Sequence, residues 1–113
     1  MITEVEFDDR PMDAGEVRVL RAWATQSLVV HIECFRQPPQ PPQLRSCAEC
    51  GSFPAEPGQG IRVAPSVDAF RDGGGFMRIT ISDLSGDTRQ ILITVRSAGL
   101  SSPTTPGSLV GAS

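Results

Sequence analysis

The clearest alternation of apolar and polar residues lies toward the C-terminal end of the chain. In Phe76-Met-Arg-Ile-Thr-Ile-Ser82, Met77, Ile79 and Ile81 fall on one face and Arg78, Thr80 and Ser82 on the other. Gln90-Ile-Leu-Ile-Thr-Val-Arg96 repeats the pattern with Ile91, Ile93 and Val95, and Leu84-Ser-Gly-Asp87 supplies a turn between the two runs. A period of two on either side of a turn predicts a β-hairpin with one buried face. Ser27–Arg36 predicts a central strand, rich in β-branched residues, with Val29, His31 and Glu33 opposed to Val30, Ile32 and Cys34. Ile61–Ala64 reads as a short strand, 54–60 as a Pro/Gly loop and Ser66–Arg71 as a single helical turn.

Nearer the N-terminus the period changes. Asp13 and Glu16 have the spacing of a helix capping box, and Val17, Leu20 and Ala24 then share a helical face with Trp23 beside them. This predicts one short helix after residue 13. Val17 and Val19 also alternate as in a strand, and Gly15 weakens the helix, so residues 16–25 carry both signals. Thr3, Val5 and Phe7 alternate with acids, an edge strand or an acidic arm over 1–12. The expected fold class is α+β: a small zinc-stabilised domain over 13–97 with one N-terminal helix, a central strand and a C-terminal β-hairpin. A Ser/Thr/Pro/Gly tail over 98–113 is expected to be disordered.

Composition shifts attention to cross-linking. Of 113 residues, 39% are hydrophobic, while much of the glycine (11) and proline (10) lies in two stretches that cannot pack. A core of that size gives little net stability, and bound metal is a common supplement. Three cysteines cannot all pair as disulfides. There is no apolar run of membrane-spanning length and the first residues are acidic, so an intracellular, reducing location with no membrane partner is expected. All ten basic residues are arginine. Residues 1–16 hold six carboxylates against Arg10, a net of −5; residues 17–113 hold nine arginines against seven carboxylates, a net of +2. That is far short of the basic footprint of a dedicated duplex-DNA binder.

The only histidine and all three cysteines occupy two pairs, His31-Ile-Glu-Cys34 and Cys47-Ala-Glu-Cys50. Two such pairs suit a tetrahedral Cys₃His site, and thiolate-rich sites favour zinc, so one structural Zn2+ is expected on His31, Cys34, Cys47 and Cys50. His31 and Cys34 point to opposite sides of a flat strand, so this site requires the strand to end or bulge near Glu33. Gln37–Gln43 predicts a polyproline II spacer of roughly 20 Å, and Gly51 permits a left-handed turn after Cys50. A catalytic zinc needs an open position and a general base. Glu33 and Glu49 sit inside the ligand pairs, where they face solvent, so no enzyme is expected. A redox Cys-x-x-Cys would want a helix N-terminus, and a Gly/Pro loop follows instead. Gly73-Gly-Gly75 lacks the Lys-Ser/Thr of a phosphate loop and reads as a flexible turn. Arg36, Arg45, Arg78, Arg89 and Arg96 could contact single-stranded RNA weakly and without sequence preference, with Trp23, Phe53, Phe70 and Phe76 available for stacking.

Trp23, Val29-Val-His-Ile-Glu-Cys34 and Ser46-Cys-Ala-Glu-Cys50 together resemble the zinc-binding region of the small first-frame proteins of sobemoviruses, over residues 23–53. The resemblance implies a viral suppressor of host RNA silencing that supports systemic infection from the host cytoplasm. It implies RNA or host silencing proteins as partners, and the first zinc of that family on His31, Cys34, Cys47 and Cys50. Here histidine stands at the first ligand position, and no His/Cys set is left for that family's second zinc. The alternative is a bacterial zinc-ribbon-like accessory protein that binds another protein. The apolar hairpin faces and an exposed strand edge also allow a homodimer.

Overall fold

Nine strands and no helix make up the described residues of the computed structural model, which are 1–36, the backbone of 44–45, and 51–98. In chain order they are β1 (Ile2–Glu6), β2 (Met12–Asp13), β3 (Arg18–Ala24), β4 (Leu28–Arg36), β5 (Leu44–Arg45), β6 (Gly51–Ala55), β7 (Ile61–Val63), β8 (Gly75–Asp83) and β9 (Thr88–Arg96). The α+β expectation, with its N-terminal helix, is corrected to all-β.

The correction turns on residues 13–24. Only half of the capping box forms: Glu16 accepts a hydrogen bond from the Asp13 N–H at 3.0 Å, but the Glu16 N–H donates to the Asp13 backbone carbonyl at 3.0 Å rather than to its side chain, which takes Arg96 instead. They close a turn rather than a helix, because Gly15 between them takes φ +85°. A Cβ at that glycine would also stand 2.8 Å from Val67 Cγ2. Beyond the turn the chain extends as β3, burying Leu20 and Ala22 while Val17 stays 48% exposed. β3 pairs with β1 over 21–24 on one side and with β7 over 18–20 on the other. Arg18 fixes the entry to this strand. Its guanidinium, 14% exposed, donates to the carbonyls of Asp8, Arg10 and Pro11 and to the Glu16 carboxylate.

β1, β3 and β7 form one antiparallel sheet in the order β1-β3-β7. The second sheet runs β2-β9-β8-β4, with β5 and β6 both on the outer edge of β4. β2 pairs parallel with β9, through Met12 opposite Val95 and Asp13 opposite Arg96; the other pairings are antiparallel. The first part of the chain therefore belongs to one sheet as β1 and to the other as β2. This strand order, with a divided first strand lying parallel to the last, is that of immunoglobulin-type sandwiches. Their hallmarks are absent: β3 and β8 contain no cysteine, and the chain has no tyrosine. The likeness is one of topology and carries no function.

The inward faces of both sheets share one core. Leu20, Ala22, Ile61 and Val63 come from the smaller sheet, and Leu28, Val30, Ile32, Met77, Ile79, Ile81, Ile93 and Val95 from the larger. The inward set expected for the hairpin is the one observed, apart from Ile91, which is only partly buried, and on the central strand the Val30, Ile32 and Cys34 face is the one that turns inward. β1 departs from simple alternation. Its register shifts between Ile2 and Glu4, which turns Ile2 inward alongside Val5. Phe70, at the end of the 67–70 turn, is fully buried and plugs the core from outside the strands. The single turn expected there is closed by the Phe70 N–H on the Val67 carbonyl at 3.3 Å and does not continue into a helix. At the β8–β9 turn, Asp83 Oδ1 accepts from the Ser85 N–H (2.9 Å), the Ser85 hydroxyl (2.6 Å) and the Asp87 N–H (3.0 Å), while Oδ2 lies against the Met1 amino group.

Candidate functional site

The outer face of the larger sheet holds the histidine and the central arginine singled out by sequence. Strand register sets them in rows. His31 stands opposite Ser52 on β6 and Thr80 on β8, with Gln90 beyond on β9. Glu33 stands opposite Arg78, with Leu92 beyond; Phe35 stands opposite Phe76, with Thr94 beyond.

These side chains are linked into one array. His31 Nδ1 lies 2.5 Å from Ser52 Oγ, and Nε2 lies 3.6 Å from Glu33 Oε2. Arg78 donates to Glu33 Oε1 through Nε at 2.9 Å and Nη2 at 2.6 Å. The same guanidinium stands 5.0 Å from the centre of the Phe35 ring. Phe35 in turn stacks on Phe76 with centroids 4.9 Å apart and ring planes 17° from parallel. Arg78 is thus held by a carboxylate on one side and an aromatic face on the other, a geometry that lysine cannot reproduce. Its hydrogen bonds are the main reason the Glu33 carboxyl titrates below the usual glutamate range; partial burial acts in the opposite direction. Val29, 43% exposed, and Leu92, 62% exposed, add apolar surface on either side.

Serine, histidine and glutamate in contact are also the residue types of an acyl-transfer triad. Such chemistry would further require donors aimed at a developing oxyanion and a walled seat for the substrate. Here the three stand on pleated sheet, whose backbone N–H groups lie in the plane of the ladder. What the structure gives is the contact itself, with Ser52 at one ring nitrogen of His31 and Glu33 at the other.

The expected metal ligands do not converge where they are described. β4 runs unbroken against β8 from Leu28 opposite Asp83 to Arg36 opposite Gly75. The bend needed at Glu33 is not made. His31 faces out, and Cys34 is fully buried on the inward face. Cys47 and Cys50 lie outside the described residues, as does the 37–43 spacer; their described neighbours Arg45 and Gly51 pair with Cys34 and Ile32. Among the described residues no group of three or more His, Cys, Asp or Glu side chains could hold a metal ion.

The expected RNA contacts are dispersed as well. Arg78 is paired with Glu33. Arg96 donates to Asp13 Oδ1 at 2.6 Å, which holds its guanidinium charged, and Arg89 donates to the Ile2 carbonyl at 2.9 Å. Arg36 stands at the far end of β4, and the side chain of Arg45 is not described. Of the aromatics, Phe70 is core, Phe53 packs against the core, and Trp23 lies over Gly58, whose Cβ would stand 3.1 Å from its Nε1. Only Phe76 joins Phe35 in the array. Sequence reasoning did not pair Phe35 with Phe76 or His31 with Ser52, because cross-strand partners depend on register, which no local pattern encodes. No protein-family model and no curated protein matches the chain.

Proposed function

We propose that this chain is a non-enzymatic binding domain that engages a protein partner through the outer face of β6, β4, β8 and β9. The observation that carries this reading is the Arg78–Phe35–Phe76 stack flanked by exposed Val29 and Leu92. Arginine and aromatic residues dominate the energetically decisive centres of protein interfaces, and a pre-positioned guanidinium loses little entropy when a partner arrives. The array is electrically balanced, since Glu33 answers Arg78 and Asp13 answers Arg96. Such a face suits a mixed protein surface better than a polyanion.

Affinity capture with the full chain tests this when compared across variants. A partner held by wild type should be lost with Phe76→Ala and Arg78→Ala but retained with Arg62→Ala, an exposed arginine on β7 of the other sheet. Equal losses for all three, or capture indifferent to Phe76 and Arg78, would refute it.

The aromatic pair on adjacent central strands favours a second reading, single-stranded RNA with bases stacked on Phe76. The pairing of its arginines with carboxylates leaves that reading with little phosphate neutralisation. An electrophoretic shift with oligouridine at low and high salt separates the two: a salt-sensitive shift abolished by Phe76→Ala favours RNA. Suppression of RNA silencing, implied by the resemblance alone, is tested by a leaf silencing reporter with wild type and Arg78→Ala.

A further inference from the structure

The edge of the larger sheet carries a second surface. β2 covers β9 only at Val95 and Arg96, so among the described residues the stretch 88–94 presents its outward backbone to no other strand. Beside it an open cleft of about 280 Å³ lies between β9 and the segment where the chain crosses from one sheet to the other, lined by Val5, Phe7, Asp9, Arg89, Gln90 and Ile91. Natural sheet edges are normally blunted by proline, lysine, a bulge or an inward charge. This stretch, Thr-Arg-Gln-Ile-Leu-Ile-Thr, has none of the first three; its one charge, Arg89, falls on the inward row at one end of the stretch, opposite Ile81, and is tied to the Ile2 carbonyl.

We propose that this edge pairs with the same edge of a second copy of the chain, antiparallel, about a two-fold axis through Ile91. The seven uncovered residues are symmetric about that position, so the pairing uses all of them and none that β2 covers. Thr88 then faces Thr94 of the partner subunit, Arg89 faces Ile93 of the partner subunit, Gln90 faces Leu92 of the partner subunit, and the two Ile91 side chains meet on the axis. No like charges stand opposite each other. Asp9 stands on the cleft wall beside 89–91, where this register brings the partner's Ile93, the partner's Leu92 and the partner's Ile91 and no acid. Ile91 is only partly buried in the single chain and borders Val5 and Phe7. In the pair, the two isoleucines close both clefts with apolar surface. Seven opposed residues give roughly six to eight main-chain hydrogen bonds, enough for a weak, concentration-dependent dimer with one continuous sheet. The outer faces proposed as the contact surface would then stand side by side, although the pairing does not depend on that reading.

Sedimentation equilibrium of the full chain between about 1 µM and about 1 mM tests it, together with amide hydrogen exchange at both ends of that range. The expected result is a doubling of apparent mass, with protection of amides within 89–94 rising about tenfold. Ile91→Lys, which places two ammonium groups on the axis, should stay monomeric. The wild-type exchange data decide independently of whether Ile91→Lys folds. A mass that never rises, or a dimer that leaves exchange at 89–94 unchanged, overturns the proposal. Arg78→Ala and Phe76→Ala should dimerise normally, so failure of the contact-face reading and failure of this one give different results.

Discussion

Replacing Phe70 by alanine tests whether the core extends beyond the strands. Phe70 is fully buried, yet no strand contributes it. Its carbonyl accepts from the Ala98 N–H at 2.8 Å and the Ser97 hydroxyl at 3.3 Å, which ties the 67–70 turn to the end of β9. Those bonds use the backbone and survive the substitution, so the loss is one of packing. Deleting a buried phenylalanine costs about 3–5 kcal/mol, the upper end where the surroundings cannot collapse into the cavity. Strands β7 and β8 on either side are held by their own ladders, which points to that upper end. Small domains have about 5–15 kcal/mol in all. With a urea slope of about 1.5 kcal/mol/M for a chain this size, the midpoint should fall by about 2–3 M. Phe70→Leu should lose about a third as much. A midpoint shift below about 0.5 M for Phe70→Ala would mean that the turn does not seal the core, and the packing described for it would be wrong.

Three further outcomes follow from individual contacts. Arg18→Lys loses the planar fork that reaches three carbonyls and Glu16, and should cost about 1–3 kcal/mol by urea denaturation; a neutral result would mean the crossing between sheets needs no such anchor. Gly15→Ala must hold φ +85° with a side chain and should cost about 1–2 kcal/mol, whereas a stabilised variant would reinstate a helix at that turn. Glu33 titrates below its ordinary value in the folded protein because of Arg78, so its stabilising contribution is present above the ordinary glutamate pKa and lost as pH falls through the lowered one. Denaturation midpoints measured from pH 7 to pH 3 should therefore fall more steeply for wild type than for Glu33→Gln, and parallel curves would deny the link.

Much of the larger sheet was legible in the order of residues. β4, β8 and β9 announce themselves because a period of two is a local property: each strand carries its own inward row, whichever neighbour it finds. The same locality explains the error at 13–24. Val17, Leu20 and Ala24 satisfy a helix, Leu20 and Ala22 satisfy a strand, and the chain alone does not say which surface will cover them. β1 and β7 decide it by pairing both edges of β3 and burying its inward pair. The same locality bears on the first ligand pair of the metal expectation. Spacing brings His31 and Cys34 close along the chain, but β8 holds β4 straight and sends them to opposite faces. What the sequence by itself determined, then, is that β4, β8 and β9 are extended and which face of the β8–β9 hairpin is buried. Register and sheet order, which arise only between distant segments, decided that Arg78 lies between Glu33 and Phe35, that Phe35 meets Phe76, and that β9 is left with an uncovered edge.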